Sequence, residues 1–318
     1  MKTADELIKT YLTDLKAALR GADKATVQDA LADAEEHLRT ALENKSVEKE
    51  AEAEAIQTII QEYGEAEEIA QAYRSWEAAL PPALAATPAA RRSSSASANG
   101  TSPAGSSYPG FFGVYADPRA WGGLVYMLIS IITGTLYFSW AVTGLSTSLG
   151  VMVLIIGIPV TILFLLSFRG VAFLEGRLVE ALLGERMPRR ASFTDSSLPW
   201  VERLKALLLG KATWLSWLYM VLMLPLGVIY FSFMVTFLSL SLGLVITPIV
   251  TLGMIALDIP FNLVQSGDMI WQFSDPLGLL LSLAFAGLGV MIATGSMHLA
   301  RFVGKIHGKF AKALLVSD

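Results

Sequence analysis

The pattern of apolar and polar positions divides the chain into two parts of different character. From residue 3 to about residue 76, apolar residues recur at helical spacing in four stripes separated by polar residues. Gly21 and Gly64 follow the first and third stripes, as glycine often does at helix C-termini. Because short amphipathic helices are marginal alone, the pattern predicts that residues 1–80 pack as a small helical bundle.

Beyond residue 118 the polar positions nearly disappear. Uncharged runs of about 20 residues, the length that a bilayer requires, predict four membrane spans. These runs are 121–142, 149–168, 214–235 and 277–297. A fifth run, 242–257, is shorter and contains Pro248 and Gly253, so we expect it to be a re-entrant segment with its free backbone groups buried in protein.

The loop charges predict the orientation of these spans. Segment 169–211 and the tail 301–312 are rich in arginine and lysine, which places both on the cytoplasmic side. The turn 143–148 is uncharged and segment 258–275 carries only acidic charge, so both are expected outside. Four crossings satisfy all of these placements, with the N- and C-termini in the cytoplasm.

Composition supports a membrane protein and removes several classes of function. The chain is 53% hydrophobic and 16% charged, which is too apolar for an ordinary soluble domain. With no cysteine, thiolate catalysis and cysteine-ligated metals are excluded. Three scattered histidines suggest no metal site, and we expect no cofactor. His298 and His307 read as interfacial anchors of the basic tail.

Charge is distributed unevenly along the chain. Residues 1–80 have a net charge of -9, and the remainder has +5. An acidic bundle cannot neutralise phosphates, so nucleic acid is not an expected partner. The basic excess of the membrane part suits anionic lipid headgroups. Between these parts, 81–117 is rich in Pro, Ser, Gly and Ala, which predicts a disordered linker.

An internal repeat is the strongest pattern in the membrane part. A shift of 93 positions places 134–150 on 227–243 with 11 identities in 17 positions. The repeat predicts two parallel hairpins around a pseudo-two-fold axis. A basic amphipathic stretch follows each hairpin, 176–183 and 308–315, and is expected to be a helix at the inner interface or a charged continuation of the span. The predicted segments are repeat one (118–190), a basic connector (191–212) and repeat two (213–318).

Motifs in the bundle resemble a known signalling domain. They are Tyr11-Leu-x-x-Leu15, Asp33-Ala-Glu-Glu-His37-Leu38 and Glu62-Tyr-Gly64-x-x-Glu-Glu68-Ile-Ala70. Together they resemble the HAAS domain of bacterial membrane proteins over about 3–75. This resemblance implies signalling to a partner, often within a system that includes a PadR-like transcription regulator.

The duplicated hairpins resemble a second family. Their motifs are Gly134-x-x-Tyr-Phe, Val142-Thr-Gly-Leu-Ser146, Ala181-Leu-Leu-Gly184 and Leu224-Pro-Leu-Gly-Val-x-Tyr230. They resemble the sensor domain found ahead of bacterial histidine kinases, over about 118–316. This resemblance implies a multi-pass protein of the bacterial plasma membrane with no catalytic residue. No kinase segment follows in this sequence, so output is expected through the bundle.

Three groups of residues are candidate contacts, each with an ordinary structural alternative. The external acidic stretch is the best placed for a ligand, although it could equally be a solvated loop. Part of the second helix is a candidate partner surface or a solvated helix face. A stripe of small residues on the last span predicts close helix packing within the chain, or a homodimer face. The external stretch contributes Asp258, Asp268, Trp271 and Asp275, and the second helix contributes Glu35, Glu36 and His37. The stripe on the last span consists of Ser282, Ala286, Gly289 and Ala293.

The sequence therefore predicts an all-α fold, a small cytosolic bundle joined to a polytopic helical membrane domain. The favoured function is a non-enzymatic sensor that couples an envelope or lipid signal to a cytosolic or membrane partner. The alternative is an accessory or regulatory subunit of a membrane transporter, which the paired hairpins suggest. A lipid-modifying enzyme ranks last, because no paired carboxylates, Ser–His arrangement or metal cluster lies near a bilayer face.

Overall fold

The computed structural model describes residues 3–45, 51–79, 110–151, 157–189, 210–258, 262–266, 269–272 and 275–316. Most of the predicted linker and connector lie outside these ranges. The described part is almost entirely helical, as expected. Its elements are α1 (Ala4–Ala18), α2 (Lys24–Lys45), α3 (Glu52–Tyr63), α4 (Ala66–Ala79), α5 (Pro118–Val151), α6 (Gly157–Leu183), α7 (Lys211–Ala256), β1 (Asn262–Ser266), β2 (Met269–Gln272) and α8 (Asp275–Leu315).

Helices α1 to α4 pack as the predicted bundle. Thr3 and Glu6 form a reciprocal capping box at the start of α1. Gly64 ends α3 with φ +114°, a conformation that favours glycine. The core consists of apolar side chains from all four helices that are nearly excluded from solvent. Its fully buried large members are Ile8, Leu15, Leu19, Leu38, Ile56 and Ile59.

Polar contacts join the end of the bundle to its beginning. The Tyr11 hydroxyl donates to the carbonyl of Gly64 at 2.9 Å. Arg74 of α4 donates to the carbonyls of Ala18 and Arg20 at 2.6 and 3.1 Å, which satisfies two carbonyls at the C-terminal end of α1. These bonds fix α4 against α1.

The predicted re-entrant break at 242–257 is wrong. Helix α7 continues through Pro225 and Pro248 to Ala256 without interruption. Its 46 residues correspond to about 69 Å, compared with a hydrocarbon thickness of about 30 Å. The hydroxyls of Thr247 and Thr251 donate to carbonyls one turn earlier, so side chains contribute hydrogen bonds around the proline.

The predicted turn at 143–148 is also helical. Helix α5 includes all of 143–148 and runs on to Val151, and α6 begins at Gly157. The predicted turn was the gap between two uncharged runs of about 20 residues, and it was wrong because α5, at 34 residues, is longer than one such run. Part of the predicted second span, 152–156, lies outside the described residues.

The last residues of the predicted linker are structured. Phe111–Ala116 form a 3-10 helix, and Val114 is buried among apolar residues of α5 and α8. The Tyr115 hydroxyl lies 3.1 Å from the Thr294 hydroxyl. This buried contact overcomes the chain entropy that composition alone suggested. The predicted boundary at 117 is therefore too late.

A short hairpin interrupts the helices between α7 and α8. Strands β1 and β2 pair antiparallel, with Val264 opposite Trp271. The intervening Gly267-Asp268 is a sequence pair typical of tight turns. The sequence did not reveal this hairpin, because strands of five and four residues are too short to give a clear alternation of apolar and polar positions.

Three described helices are long and apolar enough to cross a membrane: Pro118–Val151, Lys211–Ala256 and Pro276–Leu315. The two basic amphipathic stretches are continuous with α6 and α8, so neither is a separate helix.

By internal contacts the chain divides into two units. We call Met1–Ala90, Leu136–Leu222 and His307–Asp318 the bundle unit, and Arg91–Thr135 with Met223–Ile306 the second unit.

Positions 93 residues apart have matching exposure. Trp121 and Trp214 are 49% and 48% exposed, whereas Tyr126 and Tyr219 are 0% and 1% exposed. The same match holds at further positions along both helices. Such pairs are Met127 and Met220, Ala141 and Met234, Ser148 and Ser241, all buried, and Leu149 and Leu242, both exposed. Helices α5 and α7 thus bury equivalent faces.

Within the second unit, the two helices touch through equivalent residues. A Cβ on Gly134 would lie 2.4 Å from the carbonyl oxygen of Met223, and one on Gly227 would lie 2.2 Å from that of Ser130. Ser130 and Met223 are themselves 93 residues apart, so the contact is reciprocal. Only glycine permits so close an approach of two backbones.

Candidate functional site

A buried carboxylate on α6 is held by two tyrosines. Glu175 is 1% exposed. The Tyr137 hydroxyl of α5 donates to its Oε2 at 2.9 Å, and the Tyr219 hydroxyl of α7 donates to its Oε1 at 2.7 Å. Each carboxylate oxygen therefore accepts a hydrogen bond, which offsets part of the cost of removing the group from water.

The network continues into α8 through a histidine. His307 Nε2 lies 3.0 Å from the Tyr219 hydroxyl oxygen, and His307 is also 1% exposed. A tyrosine hydroxyl has one hydrogen, and this one is donated to Glu175. His307 Nε2 must then carry the hydrogen that it donates to Tyr219. The resulting chain of donors and acceptors joins α6, α7 and α8.

Glu175 and His307 occupy equivalent places in the two halves. Each directly precedes the glycine of its amphipathic stretch, Gly176 or Gly308, and the two positions are 132 residues apart. A carboxylate in one half and an imidazole in the other converge on one hydroxyl. Such an arrangement can hold or pass a proton without any bound group.

A lysine near the end of α8 joins the bundle to the membrane part. Lys312 Nζ pairs with the carboxylate of Asp23, which lies between α1 and α2, and with Glu185 Oε1 at 3.3 Å. Asp23 also accepts a hydrogen bond from the Ala25 backbone N–H at 2.8 Å, at the start of α2. The Lys312 side chain is 13% exposed, so this pairing is largely shielded from water.

The segment after α6 adds a second connection. Gly184 ends α6 with φ +69°, and Arg177 donates to the carbonyls of Met187 and Pro188, which folds the segment back on the helix. The Arg189 backbone N–H then donates to Asp29 Oδ1 of α2 at 2.8 Å. We call Asp23, Asp29, Glu185, Arg189 and Lys312 the docking junction.

The candidate partner residues on α2 have different environments. Glu35 is 9% exposed and forms an ion pair with Arg39 at 3.0 Å, and Arg39 also binds Asp5. Glu36 and His37 are exposed, and the His37 ring packs against Tyr63 with centroids 4.7 Å apart. A partner on this face would therefore contact Glu36 and His37, while Glu35 supports the bundle.

The candidate ligand residues are only partly described. Asp258 is exposed just after α7, with φ +53°. Trp271 lies in β2 and Asp275 begins α8, but Asp268 lies outside the described residues. Trp271 and Asp275 thus belong to successive elements, β2 and α8.

The small-residue stripe of α8 contacts α7 at Gly289. Ser282 and Gly289 are buried, and Ala286 and Ala293 are partly buried. The Ser241 hydroxyl of α7 donates to the carbonyl of Gly289 at 2.9 Å. At Gly289, therefore, the stripe makes a helix contact within the second unit.

Comparison with known families agrees with this architecture. Residues 10–72 match the family model HAAS, and residues 81–315 match the family model described as Putative sensor. The chain belongs to this sensor family. No curated protein and no solved structure matches the chain. The two matches support a signalling or sensor role for the chain.

The sequence did not reveal the buried network of this sensor. Glu175 stands seven residues after the second predicted span and directly before the amphipathic stretch 176–183, and His307 reads as an interfacial anchor. One signal was available: extending the alignment of 176–183 and 308–315 by one residue pairs Glu175 with His307. Among the described residues, no group of three or more His, Cys, Asp or Glu side chains is placed to hold a metal ion.

Proposed function

We propose that the chain is a non-enzymatic sensor of the bacterial plasma membrane, with both termini in the cytoplasm. In this proposal the membrane helices respond to an envelope or lipid signal, and the HAAS bundle passes the response to a cytosolic partner such as a PadR-like regulator system. The observation that carries the proposal is the docking junction. Lys312, near the end of the last membrane helix, pairs with Asp23 of the bundle.

The junction supplies a direct physical route for coupling. Lys312 lies five residues after His307, and Glu185 lies two residues after α6 ends. Any shift of α6 against α8 changes the distance between Glu185 and Lys312, and so changes the competition between Glu185 and Asp23 for one ammonium group. Two-state signalling requires an element whose contacts differ between the two states, and in this proposal the two pairs of Lys312 are that element.

The exposed face of α2 is the proposed output surface. His37 and Glu36 are exposed there, and α2 also carries Asp29, which binds Arg189 of the junction. A change at the junction therefore acts on the same helix that presents the partner surface. Helix α2 is long enough, at 22 residues, to connect the two sites rigidly.

Paired spin labels in the full chain test this coupling. The chain has no cysteine, so single cysteines at the exposed positions Thr13 and Lys309 report the placement of the bundle on α8. In nanodiscs we expect one narrow distribution of the distance between the two labels. Lys312→Glu should broaden it, and adding Asp23→Lys should narrow it again because the ion pair is restored with its signs exchanged. Lys305→Glu, an equal change of charge on α8, is the control.

A second readout concerns the partner. A photo-crosslinker at Glu36 in full-length protein should yield a specific adduct in native membranes, with an amount that changes in Lys312→Glu and not in Lys305→Glu. Equal adducts in both variants, or an unchanged distance distribution in Lys312→Glu, would remove the support for coupling through the junction.

The alternative function is a regulatory subunit of a transporter. The two hairpins of the internal repeat favour it, because paired structural repeats are common in membrane transporters. Co-purification of the full chain with a membrane ATPase would favour this alternative. A stable complex with a soluble regulator would favour the sensor.

A further inference from the structure

A pocket lies between α5 and α6, within the bundle unit. Its volume of about 390 Å³ falls in the range of roughly 300–1,000 Å³ that is typical of small-ligand sites. Helix α6 contributes an aromatic ring, and one face of α5 contributes a second ring, a glycine and several hydroxyl groups. The residues on which the argument depends are Phe164 of α6 and Trp140, Thr143, Gly144, Thr147 and Ser148 of α5.

The aromatic wall of this pocket is held in place by the protein. Trp140 Nε1 donates to Ser167 Oγ of α6 at 2.9 Å, and the Trp140 ring centroid lies 5.7 Å from that of Phe164. A Cβ on Gly144 would overlap the Phe164 ring, so glycine lets this ring lie directly against α5. Because these contacts form without any ligand, the wall is pre-organised to receive one.

One hydroxyl in the pocket is buried without a partner. Ser148 is 4% exposed, and its Oγ has no hydrogen-bond partner among the described residues. The equivalent serine of the second half, Ser241, donates to the Gly289 carbonyl at 2.9 Å. A buried hydroxyl is costly when it is left unsatisfied, so Ser148 favours an occupant that accepts a hydrogen bond.

The second half has larger and less polar side chains at the equivalent positions. A shift of 93 positions places Gly144 on Phe237 and Thr147 on Leu240. The Phe237 ring stacks on that of Phe233, with centroids 6.1 Å apart. The first half therefore has a glycine and a hydroxyl at positions where its repeat has apolar bulk, and these differences lie in the lining of the pocket.

The pocket lies at the end of the first predicted span, which is residue 142. Trp140 precedes this boundary and belongs to the hydrocarbon-spanning run, whereas Thr147 and Ser148 follow it. In a bilayer, this boundary is the depth at which ester groups join the acyl chains of a phospholipid to its headgroup. We propose that the pocket binds a diacyl phospholipid, with an acyl chain against Trp140 and Phe164 and an ester carbonyl that accepts a hydrogen bond from Ser148.

This inference deepens the proposed function, because it names a lipid as the ligand of the sensor. Helix α6 supplies Phe164 to the pocket and ends two residues before Glu185 of the docking junction. A lipid that binds against α6 therefore acts on the helix that leads to the junction. The effect on the bundle rests on the proposed function, whereas binding of the lipid does not.

Photolabelling of the full-length protein tests the site. The protein is reconstituted in nanodiscs of ether-linked phosphatidylcholine, which has no ester carbonyl, with a small amount of diester phosphatidylcholine that carries a diazirine in one acyl chain. Adducts are mapped by mass spectrometry. We expect saturable labelling of 136–148 that unlabelled diester phosphatidylcholine displaces and additional ether lipid does not. The equivalent face of α7, 229–241, should show no saturable labelling.

Two pairs of variants provide matched controls. Ser148→Ala should lower the labelling roughly three- to tenfold, the effect of one hydrogen bond, without loss of thermal stability. Ser241→Ala removes the bond to Gly289 and should lower thermal stability while the labelling is unchanged. Thr143→Phe fills the pocket and should abolish the labelling, whereas Thr236→Phe at the equivalent exposed position should not.

The outcomes separate the lipid site from the sensor. Equal labelling of the two faces, or wild-type labelling in both Ser148→Ala and Thr143→Phe, overturns the site. A disulfide between two chains that carry Thr143→Cys would place a second copy of the chain on this face and would also overturn it. Loss of labelling in Thr143→Phe with an unchanged distance between spin labels at positions 13 and 309 supports the site and contradicts its link to the bundle.

Discussion

The packing of three helices depends on one buried side chain, Glu175. Two hydroxyls, from Tyr137 and Tyr219, satisfy its oxygens, and His307 satisfies the second hydroxyl in turn. Removing one member leaves a buried polar atom without its partner, which costs more than the hydrogen bond contributed when formed. The network therefore makes the packing of α6, α7 and α8 sensitive to a single atom.

Tyr219→Phe should lower the free energy of unfolding by about 1–3 kcal/mol, because Glu175 Oε1 and His307 Nε2 both lose the hydroxyl between them. Tyr115→Phe is the control, since Tyr115 is 38% exposed and its hydroxyl lies 3.1 Å from the Thr294 hydroxyl, outside this network. Thermal unfolding in detergent measures both. Equal losses would contradict the special role of Tyr219.

The thermal stability of the bundle is expected to depend on pH in the alkaline range. Burial, together with the neighbouring Tyr63, raises the pKa of Tyr11 to about 12, compared with about 10 when unfolded. The folded state disfavours the phenolate, so this contribution to stability is complete below pH 10 and is lost as the pH rises towards 12. The midpoint of the bundle's thermal transition should fall across this window.

Tyr11→Phe should reduce that fall, although it also removes the hydrogen bond to the Gly64 carbonyl and so lowers stability at neutral pH. Burial and Asp33 also raise the pKa of Tyr73, so part of the fall should remain. Circular dichroism melts of the full chain between pH 9 and 12 measure the effect. A midpoint that is constant over this range in the wild type would contradict it.

Among the elements, helix α5 depends on one close approach to α7. Gly134→Ala should destabilise the protein by about 1–3 kcal/mol, because the added Cβ would lie 2.4 Å from the Met223 carbonyl oxygen. Gly150→Ala on the same helix meets nothing within 4 Å and should be neutral or stabilising by up to about 1 kcal/mol. The free energy of unfolding of the two variants provides the comparison. Equal effects would contradict the close contact.

Sequence patterns predicted the helices well where residues close together in the chain determine the structure. The bundle helices and the end of α3 at Gly64 followed from apolar spacing and glycine, whereas α1 ends at Ala18, three residues before Gly21. The continuity of α7 did not, because Pro248 breaks a helix in water, whereas hydrocarbon offers the chain no better alternative. The hairpin of β1 and β2 was missed because each strand has five residues or fewer.

For the whole molecule, the decisive contacts join residues far apart in the chain. Lys312 and Asp23 are 289 residues apart, and Glu175 and Tyr219 are 44 apart. No periodicity or motif encodes such pairs, so the sequence could indicate a bundle and a membrane domain but not how they meet. The repeat was the exception, because a shift of 93 positions relates residues by symmetry and so predicts equivalent environments.

Labelling of single cysteines in intact cells tests most directly that this is a membrane protein whose bundle and last helix end inside the cell. The reporters are the exposed positions Thr13, Asp258 and Lys309 in the cysteine-free chain. A membrane-impermeant maleimide should label Asp258→Cys in intact cells, and should label Thr13→Cys and Lys309→Cys only after permeabilisation. Labelling of Lys309→Cys in intact cells, or a chain that stays soluble without detergent, would contradict it.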